Sequence, residues 1–600
     1  MATSVSYPGV YIEELPSAVR TITAVTTSVT AFVGATRRGP LDEAVTITSF
    51  ADFERQYGGL DAKSLLSYAV QQFFLVGGSV AVIVRVAKGA EPASRDLAAG
   101  GEPNALTVTS RDASAWGNGL RVAIDPGTSD DTFTVRVLDA SGTVLERYRD
   151  LSMDPAAPRF VEAVVNESSF INTEATGDTV PDFSGTVSGP VDTLPDLADK
   201  KLTATVDGVE PVEITLYTAA DAPPASLTGL GLLLERTLRG ASPDRAFTRA
   251  DVDVAGRRLQ VLAGTAGATM TLTGEVANLL GLTAARPTAY PLTGGNDGVP
   301  PTDAEFRGSE ADKTGVHALR EVQDVNLLCL PDLAGPDYTG DPISVITTAE
   351  ELCEDKRMLL IVDSPPEWTG IEQARAGLAT YDAVRSDHAA LYFPHITLTD
   401  PLTGRLRTFP PSGAVAGLMA RTDAERGVWK APAGTDVRLT GVRSMSVRMS
   451  DAENGLLNPL GVNCLRTFPV VGPVIWGART LLGADVLTSE WKYVPVRRLA
   501  FMLEESLYRG LKWVVFEPND EPLWGQIRLN VGAFMHNLFT QGAFQGTASR
   551  EAYFVKCDKE TTTQDDVNRG IVNVIVGFAP LKPAEFVVVK IEQMAGRIEA

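Results

Sequence analysis

Asp332 and Asp363 each close an apolar run, VNLLCLPD and MLLIVDS, where enzymes built on parallel sheets set acid, base or ligand groups. The prolines beside both, Pro331 and Pro365, make a tight loop with a capping carboxylate the simpler expectation. Acidic stretches at Asp363–Glu372 and Glu517–Glu521 suit solvated loops and helix N-termini better than paired acid and base groups. Asp251, Asp253 and Gly256 sit at calcium-loop spacing, yet position five is Ala255 and position twelve is Leu262, where a bidentate Glu is required. The four histidines, His317, His388, His395 and His536, form no HExxH pair and stand at no zinc spacing from a cysteine. No Gly-Lys dipeptide occurs, which excludes the usual phosphate loop, and neither GxSxG nor a GxGxxG after a strand is present. The chain therefore reads as a non-enzyme without metal or cofactor.

The elements that would position such groups are nevertheless those of an α/β protein. Thr30–Gly34 predicts a buried strand, Phe50–Tyr57 a short helix, Lys63–Leu75 an amphipathic helix and Val80–Val86 a strand. After residue 299 come strands at Val325–Leu330, Met358–Val362 and Ala389–Phe393. Between them stand helices at Pro342–Asp355, with Asp341 as N-cap, and Ile371–Tyr381. That βαβαβ succession implies a parallel sheet covered by helices. Helices follow at Arg497–Gly510 and Glu521–Phe539, with strands at Trp513–Phe516, Tyr553–Lys556, Ile571–Val576 and Glu585–Ile591. Between about 90 and 298 short β-like runs alternate with Gly, Pro, Asp and Ser, as expected of inserted modules; Pro181–Asp199 reads as a linker.

A chain of 600 residues exceeds the ~250–300 that one core sustains. Its net charge of −22, from 75 acidic and 53 basic side chains, argues against nucleic acid as a partner. Scattered cysteines (Cys329, Cys353, Cys464, Cys557) predict reduced, buried thiols. The opening residues lack a signal-peptide pattern and the apolar runs are strand-length. Cytoplasmic synthesis without membrane insertion is expected.

Apolar β-type segments beside Gly and Pro mark both ends of the chain, Val19–Val25 and EFVVVKI (Glu585–Ile591). Such strands either complete their own sheet or donate their N–H and C=O groups to another chain's edge. Trp429, Trp476, Trp491, Trp513 and Trp524 read as core or interface packing. Arg421, Arg426, Arg479, Arg497 and Arg498 suit either neighbouring acidic faces or ion pairs within the chain.

YPGVYIEELP from Tyr7, TSVTAFVG at Thr27–Gly34, FADFERQYGG at Phe50–Gly59 and LTGGNDG at Leu292–Gly298 occur in one order with PPSGAVAG (Pro410–Gly417) and RTDAERGVWKA (Arg421–Ala431). LNPLGVNCLR (Leu457–Arg466), WGART (Trp476–Thr480), WKYVPVRR (Trp491–Arg498), WVVFEPNDEPLW (Trp513–Trp524), GAFQG (Gly542–Gly546) and PLKPAEF (Pro580–Phe586) follow. Over about 1–90 and 290–600 this series resembles contractile phage tail sheath proteins, including those of phage-tail-like injection systems. The resemblance implies an α/β and α+β multidomain subunit. An extended arm (1–22) leads into the first part of an inner domain (23–90). An inserted β-rich outer module (91–190) and a second, α+β one (191–298) interrupt it. The main α/β sheath domain (299–583) and an exchanged strand (584–600) complete the chain. It further implies hexameric rings stacked helically around an inner tube protein, with baseplate and terminal cap proteins as further partners. The sheath would be assembled in the bacterial cytoplasm as part of a phage tail or tail-like particle, and would switch from a metastable extended to a contracted state. The strands exchanged between subunits would be Val19, Arg20, Thr21, Ile22, Thr23 and Val25 at one end. At the other they would be Glu585, Phe586, Val587, Val588, Val589, Lys590 and Ile591. A non-contractile structural polymer or capsid-like array is the alternative.

Overall fold

Short apolar runs bounded by turn residues are the recurring unit of the central sheet. A computed structural model describes residues 20–100, 102–282 and 284–591. The strands are β1 (Thr30–Gly34), β2 (Ala44–Ile47), β3 (Ala81–Arg85), β4 (Leu327–Cys329), β5 (Leu359–Asp363), β6 (Ala389–Phe393), β7 (Val462–Phe468) and β8 (Gly472–Ile475). They lie in the order β2-β3-β1-β4-β5-β6-β7-β8. Every pairing from β3 to β7 is parallel, and antiparallel β2 and β8 close the edges. Strands covered on both faces need no polar alternation, which explains the continuous Val, Ile, Leu and Ala runs. Phe32, Ile83 and Ile361 point into one core, while Val33, Val84 and Val362 point into the other.

Helices α1 (Phe50–Tyr57), α2 (Leu65–Val76), α3 (Pro342–Lys356), α4 (Ile371–Gly377) and α5 (Ser412–Arg426) cover this sheet. Their starts follow capping chemistry: Ser49, Ser64 and Asp341 each accept a backbone N–H of the first turn, and Pro342 stands at N1. α2 and α5 lie in close contact, so residues before 90 and after 299 share one core. A third core joins α6 (Val494–Gly510) to α7 (Glu521–Thr540) through Leu499, Met502, Ile527, Val531 and Met535. The α/β reading and the contribution of both chain segments to one domain are confirmed.

Lys88, Glu91 and Ser94 pair antiparallel with Val299, Asn296 and Thr293, so the insertion leaves and re-enters the main domain side by side. Its two large apolar cores are separate from each other. Thr186–Val187 pairs with Arg258–Leu262, whereas Tyr290–Pro291 pairs with Arg121–Val122. The second unit's sheet therefore begins before residue 190, inside the stretch expected to be a linker.

Four expected strands differ. Trp513–Phe516 overlaps a 3-10 turn, Lys512–Val514, in the short connection between α6 and α7; Phe516 adopts φ 71° and is fully exposed. The strand expected at Ile571–Val576 occupies Ile575–Phe578. Among the described residues, neither the described part of Val19–Val25 nor Glu585–Ile591 pairs as a strand.

Candidate assembly interface

Asp332 and Asp363 are structural caps. Asp332 accepts the Ala35 amide at 2.7 Å and the Leu66 amide at 3.0 Å, tying the end of β1 to the start of α2. Burial pushes its pKa up to about 6, against the pull of those amides. Asp363 Oδ1 accepts the Ser412 amide at 2.8 Å and so caps α5. Burial raises it to about 7, and the space beside it, lined by Leu330, Val362, Pro365 and Tyr381, measures about 20 Å³, room for a single water. His395 Nε2 lies 2.7 Å from the Ser364 carbonyl, and His388 sits between Asp387 and Arg497, so both are packing residues. Among the described residues no cluster of three or more His, Cys, Asp or Glu could hold a metal, and no helix is long and apolar enough to cross a membrane. All four cysteines are buried and unpaired.

Because folded Asp363 keeps its proton up to about pH 7 while the unfolded chain releases it near 3.8, stability from this group is fully present below pH 4. It declines as pH rises toward 7. Linkage bounds the effect at roughly 4 kcal/mol. Asp363→Asn keeps the acceptor for Ser412 and cannot ionise. Denaturant unfolding at pH 5 and pH 8 is expected to show the wild type losing more stability than the variant; parallel losses would refute the assignment.

Four of the five arginines are satisfied within the chain. Arg497 pairs with Asp387 at 2.9 Å, Arg498 with Asp423 at 2.6 Å and Arg479 with Glu585 at 2.6 Å, while Arg421 donates to the Val76 and Arg438 carbonyls.

The described segments next to the two ends of the chain are held differently. Val19 lies outside the described residues, as do 1–18. From Arg20 to Val29 the chain runs along α6 and α7 of its own protomer. Ile22 is buried against Gly510, where any Cβ would stand 2.7 Å from it. The Arg20 amide donates to Asn530 and the Val25 amide to Ser506, both at 3.1 Å, and Thr27 Oγ1 donates to Asp423 at 2.6 Å. Arg20 also stacks over Trp513 at 4.7 Å. Arg20, Thr21, Ile22, Thr23 and Val25 thus belong to a root docked on its own protomer through side-chain anchors.

At the other end Phe586, Val587, Val588, Val589 and Ile591 are 75–92% exposed, and Lys590 is exposed with them. An apolar run of this length with unpaired backbone is a template for another chain. Paired as a strand, it would put Val587, Val589 and Ile591 on one face and Phe586, Val588 and Lys590 on the other. Nearby, β9 (Tyr553–Lys556) and β10 (Ile575–Phe578) form a two-stranded antiparallel sheet packed beside α7. Both outer edges lack a further strand among the described residues, apart from the Phe544–Pro580 bridge beyond β10. Exposed Phe554 and Ile575 lie on it. Two strands alone are marginal, and added strands would stabilise them.

Comparison with known proteins places this geometry. Residues 309–481 match the phage tail sheath protein central domain, and 487–594 the phage tail sheath C-terminal domain. A tail sheath protein of Burkholderia phage BcepMu is 28% identical over 243 residues, 39% of this chain and 50% of that one. A putative prophage major tail sheath protein of Pseudomonas aeruginosa is 27% identical over 258 residues, 42% of this chain and 62% of that one. The chain thus spans between half and two thirds of these relatives' length. A sheath tail protein from Listeria innocua shares the fold at TM-score 0.53 and 12% identity, covering 94% of this chain and 96% of its own. The sheath complex of an extracellular contractile injection system in its contracted state does so at 0.50 and 20%, covering 99% of each.

Proposed function

We propose, from the premise that this chain belongs to the contractile phage tail sheath family, that it is the structural subunit of a sheath around an inner tube. Subunits polymerise helically as stacked six-membered rings, joined by terminal segments that pair with neighbouring copies. The observation that carries this reading is the exposed, unpaired run Phe586–Ile591 in a chain that also presents the open-edged pair β9–β10. Main-chain pairing is indifferent to most side-chain contacts, so rings can slide and repack while the strands hold. A heterologous contact that does not close propagates as a helix. Contraction is then a passage between two packings of one subunit, the extended one metastable, with the energy stored at assembly. The root at Arg20–Val29 fixes where the N-terminal arm departs, and pairing by that arm is part of the same proposal. Baseplate and cap proteins would bound the polymer at its ends.

Electron microscopy of the subunit co-expressed with its tube protein tests this. Tubes in two helical states, wider and shorter after triggering, are expected; a single lattice under every condition would instead support a non-contractile array.

A further inference from the structure

Residues 581–586 form a strap that, with Trp429, Arg466 and Trp476, lines an open groove of about 800 Å³, and inside that strap one side chain is pinned. Glu585 Oε1 accepts Arg479 Nε at 2.8 Å and Oε2 accepts Nη2 at 2.6 Å, a bidentate pair; Tyr493 also donates to Oε2 at 3.3 Å. The Glu585 side chain is 14% exposed between exposed Ala584 and Phe586, while that of Arg479 is wholly buried. Arg479 is itself over-determined. Its Nη1 donates to the Asn458 carbonyl and to Asp485 at 3.0 Å. Its backbone N–H and C=O are bracketed by the Asn463 amide on β7, both at 2.7 Å. The tail is therefore fixed to the central sheet one residue before it becomes free.

We infer that the Arg479–Glu585 pair is the joint through which the exchanged C-terminal strand passes force to its own protomer's sheet. This rests on the strand-exchange reading. A strand held by a neighbour couples two rings only if its root is fixed; without the joint, the strap over the groove lengthens the connection and ring spacing is no longer transmitted. Bidentate Arg–carboxylate pairs add direction to strength, which a single neutral hydrogen bond does not. Arg479 and Glu585 are positioning residues in this scheme, since the contact with the neighbour is made by Phe586–Ile591.

Glu585→Gln and Glu585→Ala, with Glu585→Asp and a chain truncated after Glu585, test the joint. Arg479 keeps Asp485 and the Asn458 carbonyl as acceptors, so the unassembled Gln variant is expected to melt within roughly 3 °C of wild type. Its critical concentration for tube formation should rise roughly tenfold or more, the scale of losing one buried charge-assisted pair, and surviving tubes should break on contraction. The Asp variant should recover part of the loss. Wild-type tubes from Gln and Ala, with none from the truncation, would overturn the joint and leave strand exchange standing. Wild-type tubes from the truncation would overturn both. Loss of assembly accompanied by an equal loss of subunit stability would assign Glu585 to the fold and overturn the joint.

Discussion

A chain ending at Glu585 is expected to fold, remain soluble as single subunits and form no tubes under conditions where the full chain polymerises. The described part of the removed segment, residues 586–591, contributes almost nothing to its own protomer, because Phe586–Val589 and Ile591 are 75–92% exposed and pair with no described strand. Removing exposed residues leaves the three cores of the inner region untouched, so the melting profile should match that of the full chain. Polymerisation should respond in an all-or-none way, since each lost strand removes a row of main-chain hydrogen bonds and the apolar face Val587, Val589 and Ile591. Solubility should improve as well, since the apolar run is an exposed template in the free subunit. Sedimentation and negative-stain imaging of equal concentrations make the comparison. Tubes of normal length from the truncated chain would end the proposal that this segment links subunits.

The parts of this molecule visible in the sequence are those decided locally. Thr30–Gly34, Phe50–Tyr57 and Ala389–Phe393 coincide with their elements because apolar runs meet strong punctuation there. The caps at Asp332 and Asp363 were legible from proline beside a carboxylate at a strand's end. Helix α5 was not, because it is buried nearly all round from Ser412 to Ala420 and shows no apolar stripe against a polar face. Trp513–Phe516 misled because its Val and aromatic content favours a strand, whereas the chain needs a short turn between two long helices. The termini announced themselves as strands, yet a strand is a relation between two segments, and a single sequence holds only one of them. Arg479 and Glu585 stand 106 residues apart, beyond any periodic signal. Only the fold brings WGART and PLKPAEF together.

Gly413→Val is expected to cost roughly 3 kcal/mol or more, enough to deplete the soluble subunit. A Cβ at Gly413 would lie 2.1 Å from the Ala69 carbonyl oxygen and 2.6 Å from the Ala69 Cα, and one at Gly417 would lie 2.5 Å from the Phe73 oxygen. These neighbours are backbone of α2, so no rotamer change relieves the clash; the two helices must separate. Separation would open the core containing Val70, Phe73, Val415 and Leu418, all fully buried. Because α2 comes from the segment before residue 90 and α5 from the segment after 299, this contact fastens together the two stretches that the inserted modules interrupt. Gly455→Ala is the matched control: it lies in the helix Asp451–Leu457, is exposed, and its added Cβ would meet nothing within 4 Å. There the smaller loss of chain entropy should leave stability unchanged or raise it by ~0.5–1 kcal/mol. Thermal unfolding of the three proteins decides the matter. A Val variant melting with wild type would mean that α2 and α5 do not approach so closely, and that the main domain does not depend on this contact between its two sequence halves.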